Sequence, residues 1–166
     1  MVIEYDNRKI KFCDNILQIM QKYIQVARKC SEAGGILIGR ENCGNSNLII
    51  EFITEPMSLD KRSRYRFLRK DTGHLDFFEK LYEENAGVYG YMGEWHTHPE
   101  NVPQYSSIDS DNWRKIGKEI KGRTQYHVIA GIQEMGIWEY NADTNKITQI
   151  DSIDWKRILK ENETSI

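Results

Sequence analysis

Residues 94–99 read EWHTHP and residues 106–109 read SSID, and these two stretches say more about the architecture than any other part of the chain. A one-residue gap between His96 and His98 suits a β-strand, because side chains two apart in a strand project from the same face. The aromatic and glycine-bearing residues just before them favour a strand. Pro99 ends it, because proline cannot donate a backbone hydrogen bond. Both imidazoles can therefore reach one metal ion.

The serine and aspartate cluster at 106–112 predicts a capped helix start, because Ile116 and Ile120 follow it at helical spacing. We expect Asp109 in the first turn of this helix. Asp109 and Asp111 differ by about 200° around a helix of about 3.6 residues per turn, so both are not expected to bind the same ion. One carboxylate from this helix start can thus join the two histidines.

Two neutral histidines, one carboxylate and a water molecule make up the ligand set of a catalytic zinc centre, in which the water position stays open to substrate. Imidazole ligands favour zinc over magnesium and leave nickel, cobalt and iron as alternatives. A His-x-His pattern alone more often marks surface or packing histidines. The serine and aspartate that follow at a set distance favour a metal site over surface or packing histidines. The sequence therefore predicts an open metal site.

The two stretches resemble the JAMM motif of the JAB/MPN metalloproteases, in which His-x-His-Pro is followed, after a spacer, by Ser-x-x-Asp. The resemblance implies that His96, His98 and Asp109 bind Zn²⁺. It also implies that the Ser106 hydroxyl supports the tetrahedral intermediate. The neighbouring Asp111 falls outside the pattern.

The family also has an upstream glutamate as general base, in a segment similar to residues 32–39 here (EAGGILIG), which begins the first core strand. The resemblance therefore implies Glu32 as the general base. From the residues alone, Glu32 follows a predicted helix and could equally be a surface carboxylate at the helix end. Because the helix macrodipole disfavours negative charge there, it is better placed if it turns toward a cation. Glu94 shares the strand face of His96 and is the competing base, or else it orients a ligand histidine.

Matches to the motif cover 32–39 and 94–109, and the resemblance in the order of elements extends over roughly residues 13–140. One departure is Tyr105, where many members of the family have proline. The resemblance implies an α/β (α+β) fold, a single JAB/MPN-like domain over residues 1–166 with a mixed, mostly antiparallel sheet flanked by helices. The polar end from about residue 160 is expected to be frayed.

Apolar spacing predicts the individual elements. Strands at 2–5 and 9–12 form a hairpin through 6–8, and a helix begins with Asp14 as N-cap and stops at 31–34. Further predictions are an antiparallel pair of strands at 36–40 and 48–54, a strand at 65–68, a helix at 75–82 and a hairpin of 126–132 with 136–140. A mixed sheet flanked by helices follows from this order.

Composition excludes several classes of protein. With 166 residues, 39% of them apolar, the chain is long enough for one buried core. A net charge of −2 gives no general attraction to nucleic acid or membrane. Cys13, Cys30 and Cys43 are odd in number and widely spaced, so neither a disulfide framework nor a second zinc site is predicted. With no signal peptide and no apolar run of membrane-spanning length, we expect a cytoplasmic protein.

The resemblance implies a zinc metallo-isopeptidase, a hydrolase that cleaves the bond after the C-terminal tail of a ubiquitin-like protein. The compact form with GEWHTHP at 93–99 is similar to the bacterial deconjugating proteases of ubiquitin-like and CBASS antiviral operons, where the conjugated protein can be a nucleotidyltransferase. Two alternatives stay open, a catalytically silent MPN scaffold and a sulfur-carrier or small-peptide metallopeptidase. Bound zinc separates the first from an enzyme, and the size of the substrate separates the second.

One local excess of positive charge consists of Lys61, Arg62, Arg64, Arg66, Arg69 and Lys70. The simpler interpretation of this basic cluster is a solvated loop and strand face. The functional interpretation is a docking surface for an acidic partner or an extended tail. His74 and His127 lack metal-ligand spacing and are expected to be ordinary surface or packed histidines.

Overall fold

The computed structural model describes residues 1–120 and 123–158. The strands are β1 (Val2–Tyr5), β2 (Arg8–Phe12), β3 (Gly34–Glu41), β4 (Leu48–Ile53), β5 (Lys61–Ser63), β6 (Arg66–Leu68), β7 (Gly90–Thr97), β8 (Gln125–Ala130), β9 (Glu134–Asn141) and β10 (Lys146–Asp154). The helices are α1 (Asp14–Lys22), α2 (Gly73–Glu84) and α3 (Ser107–Glu119), and residues 155–158 are also helical. None of the described helices is both long and apolar enough to cross a membrane. The predicted fraying from about residue 160 lies outside the described residues.

Within the described ranges, eight strands form one sheet in the order β1-β2-β4-β3-β7-β8-β9-β10. The pairs β2–β4 and β7–β8 are parallel, and the other neighbours are antiparallel. β5 and β6 form a separate two-stranded hairpin, called hairpin β5–β6 below. The predicted mixed, mostly antiparallel sheet flanked by helices is confirmed.

The central strand β3 is covered on both faces. Leu37 packs in one apolar cluster with Ile16 and Met20 of α1. Ile36 and Ile38 pack in a second cluster with partly buried residues of α2 and α3. The sheet therefore lies between α1 on one side and α2 with α3 on the other, and a strand held in this way is a rigid support for the residues at its ends.

The N-terminal hairpin is confirmed, with a tighter turn than predicted. Tyr5 pairs with Arg8, so the turn consists of Asp6 and Asn7 alone. Both have positive φ, 49° and 62°. Positive φ at both positions characterises the two-residue turns that match the twist of paired strands, and Asp and Asn tolerate it best after glycine.

The prediction for α1 is wrong at both ends. The helix stops at Lys22 instead of 31–34, and Tyr23 after it already has a ψ of 0°. Cys13 takes the N-cap position in place of Asp14, and no side chain caps the helix start.

The helix ends early because Gln25 makes contacts elsewhere. This side chain is fully buried, and its amide donates to the carbonyls of Cys30 (3.1 Å) and Arg64 (2.8 Å). Bonds to a distant segment outweigh the local helical spacing, which is the usual way in which packing overrides a propensity. As a consequence, Glu32 does not lie at a helix end.

The other predicted elements are present with small shifts. β3 and β4 pair antiparallel, the strand predicted at 65–68 is β6, the helix predicted at 75–82 is α2, and the late hairpin is β8 with β9. β5 and β10 were not predicted. β5 is three exposed residues, and the register of β10 shifts between Gln149 and Asp151, which interrupts the alternation of its side chains.

A buried pair, Asp60 and His74, organises the segment between β4 and α2. The Oδ2 of Asp60 lies 2.8 Å from Nε2 of His74, and Nδ1 of His74 contacts the buried Thr54 hydroxyl. Asp60 also accepts hydrogen bonds from three backbone N–H groups, those of Met57, Lys70 and Asp71. His74 is therefore a packed histidine, as predicted, and the pair fixes both ends of the segment that carries hairpin β5–β6.

Candidate metal centre

The end of β7 and the start of β3 run side by side, with His96 opposite the first residue of β3. The N–H of Thr97 then donates to the Ala33 carbonyl over 2.8 Å. The pairing therefore continues past the start of β3 and brings Glu32 alongside His98.

The first turn of α3 faces the same point. Ser106 is the N-cap, its hydroxyl accepts the N–H of Asp109 (3.2 Å), and the Asp109 carboxylate accepts the N–H of Ser106 (2.6 Å), which together make a capping box. The Ser106 hydroxyl also donates to Oδ2 of Asp109 over 2.7 Å. The predicted helix start is confirmed, and two of these bonds hold the Asp109 carboxylate in one orientation.

Three donor atoms converge between these elements. The Nε2 atoms of His96 and His98 lie 3.0 Å apart. Nε2 of His96 lies 3.3 Å from Oδ1 of Asp109, and Nε2 of His98 lies 3.6 Å from Oδ2 of Asp109. Asp111, by contrast, is exposed and lies 3.7 Å from Arg114. Only one of the two aspartates joins the histidines.

This spacing fits a tetrahedral zinc ion. Zinc bonds of about 2.0–2.1 Å directed to the corners of a tetrahedron put neighbouring ligand atoms about 3.3 Å apart. The three measured distances, 3.0, 3.3 and 3.6 Å, lie near that value, and the two to Asp109 run to different oxygens of its carboxylate. Among the described residues, His96, His98 and Asp109 form the only group of three or more His, Cys, Asp or Glu side chains close enough to share an ion. Their donor types and distances both suit zinc.

Glu32 lies beside His98, with its Oε1 3.9 Å from Nε2 of the imidazole. It is only 4% exposed, so the alternative of a surface carboxylate at a helix end is wrong. Burial raises the pKa of Glu32 to about 7, although the charge of His96 opposes the shift. A carboxyl group with a pKa near neutrality can both accept and return a proton at physiological pH.

The ionisation of the cluster suits a cation. Burial lowers the pKa of His96, but the hydrogen bond and charge of Asp109 outweigh burial, so the pKa is raised overall. At His98, burial and the repulsion by His96 lower the pKa. Burial would raise the pKa of Asp109, but His96 and Ser106 hold it well below its usual range. Asp109 is thus ionised and His98 neutral, which are the forms that bind metals, whereas His96 holds its proton more strongly and must release it to a metal.

Residues 18–142 match the family described as the prokaryotic homologs of the JAB domain. The chain belongs to this JAB family. A CD-NTase/cGAS isopeptidase from Pseudomonas aeruginosa is 34% identical over 128 residues, 76% of this chain and 80% of the relative. A protein of the same name from Escherichia coli is 34% identical over 110 residues, 66% of this chain and 69% of the relative. The solution structure of a Desulfitobacterium hafniense protein has the same fold, with a TM-score of 0.57 and 19% identity over 84% of this chain and 88% of that one.

Two cavities of about 240 Å³ each flank the donor cluster of this JAB domain. Phe67 of hairpin β5–β6, together with Asp109 and Asn112 of α3, lines both of them. The first extends along Arg69, and the second reaches Tyr65.

Glu94 was expected to act as the base or to orient a ligand histidine, but in this JAB domain its carboxylate pairs with an arginine. Its carboxylate lies 2.9 Å from Nε of Arg69, and both side chains are largely buried. It is not part of the three-donor group with His96. Its backbone N–H donates to Nδ1 of His127, which is fully buried and stacks on Trp113 at 4.4 Å between ring centroids. His127 is thus a packed histidine, as predicted, and among the described residues the Glu94 carboxylate pairs with Arg69 rather than with His96.

The basic cluster divides into two groups. Arg62 and Arg64 donate to backbone carbonyls of their own chain, and Arg69 binds Glu94. In the described part of the chain, three of its side chains have no polar partner, those of Lys61, Arg66 and Lys70. The basic cluster as a whole is therefore neither a solvated face nor a docking surface. A docking surface can include only Lys61, Arg66 and Lys70.

Three residues close to the site were not predicted from the sequence. Oε2 of Glu100 lies 3.6 Å from Nδ1 of His98, and its one sequence signal is that it directly follows HTHP. Phe67 and Arg62 reach the site from hairpin β5–β6. No local pattern could have identified them, because their contacts depend on how the chain returns to the start of β3.

Proposed function

We propose that this JAB domain is a zinc-dependent isopeptidase. It cleaves the amide bond between the C-terminal tail of a CD-NTase-type nucleotidyltransferase, or of a ubiquitin-like protein, and the amine of a second protein. The convergence of His96, His98 and Asp109 beside the buried Glu32 carries the proposal, because it supplies three ligands and a base in one site. The relatives named CD-NTase/cGAS isopeptidase support the choice of bond and conjugate.

The zinc ligands are Nε2 of His96, Nε2 of His98 and a carboxylate oxygen of Asp109. A bound zinc ion supplies a Lewis acid that polarises the scissile carbonyl group and lowers the pKa of a water molecule. Glu100 lies 3.6 Å from the other ring nitrogen of His98, where its negative charge favours a proton on that nitrogen and leaves Nε2 free to bind the ion. The capping box with Ser106 fixes the orientation of the Asp109 carboxylate.

Glu32 acts as the general base. It takes a proton from the attacking water and returns it to the leaving amine, so no covalent intermediate is needed. Its side chain is buried 3.9 Å from His98, where it is close to the reacting atoms and shielded from bulk water. Burial raises the pKa of Glu32 to about 7, within the range in which a carboxyl group can both accept and release a proton at neutral pH.

Ser106 stabilises the oxyanion. In the free site its hydroxyl donates to Asp109 over 2.7 Å. Rotation of this O–H toward the carbonyl oxygen of the substrate adds a hydrogen bond where negative charge develops. When the hydroxyl turns away, the Asp109 carboxylate still accepts the hydrogen bond from the backbone N–H of Ser106, which is 2.6 Å long.

The partner is a conjugated tail rather than a free small molecule. The two open cavities on either side of the donor atoms accept an extended segment, and Arg66 and Lys70 lie along them. From the names of the relatives we also propose that the protein works in a cytoplasmic, CBASS-type antiviral conjugation system. We further propose that residues 1–166 act as one domain.

The test compares two substrates with the same tail. In the first, a CD-NTase is joined through its C-terminus to a lysine side chain of a carrier protein, and in the second the tail is a short peptide amide. The purified protein should hold one zinc ion by elemental analysis and release the carrier, and it should lose this activity after chelation. Cleavage of the short peptide alone would identify a small-peptide metallopeptidase instead. Absence of both zinc and cleavage would identify a silent scaffold.

A further inference from the structure

We infer that Arg62 is a positioning residue for Glu32, and this inference rests on the proposed function. Glu32 lies in neither a helix nor a strand, because α1 ends at Lys22 and β3 begins at Gly34. Its own segment therefore does not fix where its carboxylate points. The contacts that fix it come from hairpin β5–β6, which is distant in sequence.

Both backbone polar groups of Glu32 bind β5. Its N–H donates to the Ser63 carbonyl over 2.7 Å, and its carbonyl accepts a hydrogen bond from Nε of Arg62, also over 2.7 Å. Nη2 of Arg62 reaches the preceding carbonyl, that of Ser31, at 3.4 Å. The hairpin thus holds the backbone of the base at both its N–H and its carbonyl group.

Arg62 is connected through Tyr23 to the strand that carries the histidines. Its Cζ lies 5.7 Å from the centre of the Tyr23 ring, a distance at which a guanidinium is attracted to the aromatic face. Tyr23 packs against Trp95 at 5.9 Å between centroids, and its hydroxyl donates to Glu55 over 2.8 Å. Trp95 directly precedes His96 on β7. Arg62 therefore links the position of the base to the position of a proposed metal ligand.

This geometry depends on a guanidinium. Its rigid, planar fork presents Nε and Nη2 to two consecutive carbonyls at once, whereas a lysine ammonium offers a compact point charge on a flexible stem. A base misplaced by about 1 Å can lower a rate by about 100-fold without any change in the reacting groups. Loss of Arg62 should therefore act on the chemical step and leave substrate binding almost unchanged.

Arg64 provides a matched control in the same hairpin. Its Nη1 donates to the carbonyls of Ala27 and Arg28, each over 3.0 Å, so it makes the same kind of contact as Arg62. Those carbonyls lie in the loop after α1 and not at the base. If the hairpin as a whole becomes looser, kcat should fall in both the Arg62 and the Arg64 variant. If the effect acts through Glu32, kcat should fall only in the Arg62 variant.

The kinetic experiment uses the zinc-loaded protein and the carrier conjugate described above. Arg62→Gln should keep one zinc ion and lower kcat by about tenfold or more with KM changed by less than about twofold. Arg62→Lys should recover part of the loss, and Arg64→Gln should keep kcat within about twofold of the wild-type value. In a Glu32→Gln background, Arg62→Gln should cause no further loss, because both changes act through one group. An equal loss in Arg64→Gln, or an undiminished loss in the Glu32→Gln background, would overturn the inference.

An NMR measurement separates this inference from the proposed function. The protein as purified should show a nuclear Overhauser contact between the Glu32 N–H, which donates to the Ser63 carbonyl over 2.7 Å, and the protons of Ser63. This contact should persist in Arg64→Gln and disappear in Arg62→Gln. If it persists in Arg62→Gln, Arg62 does not position the base, whatever the protein cleaves. If it disappears but the wild-type protein cleaves no conjugate, the positioning role stands and the proposed function fails.

Discussion

Oε1 of Glu32 lies 3.9 Å from Nε2 of His98, and both side chains are buried, with 5% and 11% of their surface exposed. On the other side of the two histidines, Asp109 lies 3.3 Å from His96. The two carboxyl groups have opposite tendencies, since the pKa is raised at Glu32 and lowered at Asp109. The raised pKa of Glu32 suits a group that carries a proton, and the lowered pKa of Asp109 suits a metal ligand that stays ionised. The proposed mechanism needs these two roles.

Replacement of Glu32 by glutamine should separate metal binding from catalysis. Glu32→Gln keeps the shape of the side chain and removes its ability to accept a proton. We expect one bound zinc ion per chain by elemental analysis and a fall in kcat/KM of about 100-fold or more for the carrier conjugate. A nearly normal rate would instead identify Glu94 as the base.

The two aspartates of α3 offer a matched pair for the metal site. Zinc that binds the folded protein at about 100 times its Kd adds about 2.7 kcal/mol of stability, so the melting temperature should rise with zinc. Asp109→Ala should abolish the zinc-dependent rise, whereas Asp111→Ala should keep it, because Asp111 is exposed and pairs with Arg114. A zinc-dependent rise of normal size in Asp109→Ala would remove Asp109 from the ligand set.

Asp60 should make stability depend on pH. Burial would raise its pKa, but hydrogen bonds from three backbone N–H groups and His74 hold the pKa below its usual range. Such a carboxylate stabilises the folded state above its unfolded pKa of about 3.9, and the contribution is lost as pH falls through the lowered folded pKa. Asp60→Asn should therefore lower the free energy of unfolding by about 3 kcal/mol at pH 7, as measured by urea denaturation.

The difference between Asp60→Asn and the wild type should shrink as pH falls below about 4. Asp76→Asn serves as the control, because this residue is exposed in the first turn of α2 and should contribute less than about 1 kcal/mol. A gap between Asp60→Asn and the wild type that is as wide at pH 3 as at pH 7 would show that packing, and not charge, explains the effect.

The basic side chains without a polar partner in the part of the chain that the structure describes, Lys61, Arg66 and Lys70, should affect cleavage only if the substrate is acidic near the scissile bond. Arg66 lines one cavity, is exposed and has no polar partner in the described residues, so Arg66→Glu reverses a charge without breaking a contact. We expect kcat/KM for the carrier conjugate to fall about tenfold at low salt and to recover near 1 M salt, where charges are screened within about 3 Å. Lys80→Glu on α2 makes the same charge change away from both cavities. Unchanged turnover by Arg66→Glu at low salt would leave these cations as a solvated face.

Elements with a strong local pattern could be predicted from the sequence. The period of two between His96 and His98 gave the strand, and the serine and aspartate spacing gave the capped start of α3 with Asp109 in its first turn. Both signals are local, since side-chain alternation and helix capping depend on neighbouring residues. The roles of these residues as ligands stay predictions that metal analysis must test.

Features that depend on distant contacts could not be predicted. α1 ended early because buried Gln25 bonds to the carbonyl of Arg64, which lies in another segment. Glu32 is buried because hairpin β5–β6 folds over it. Because of the same fold, Arg62 and Arg64 of the basic cluster donate to backbone carbonyls instead of facing solvent. A charge run does not reveal which of its members face solvent.

The central claim is that His96, His98 and Asp109 bind one zinc ion. Diffraction data collected on either side of the zinc absorption edge test it directly. We predict a single anomalous peak about 2.0–2.1 Å from Nε2 of His96, Nε2 of His98 and one oxygen of Asp109. Crystals grown with zinc that show no peak between these three side chains, or a peak only elsewhere on the molecule, would contradict the account.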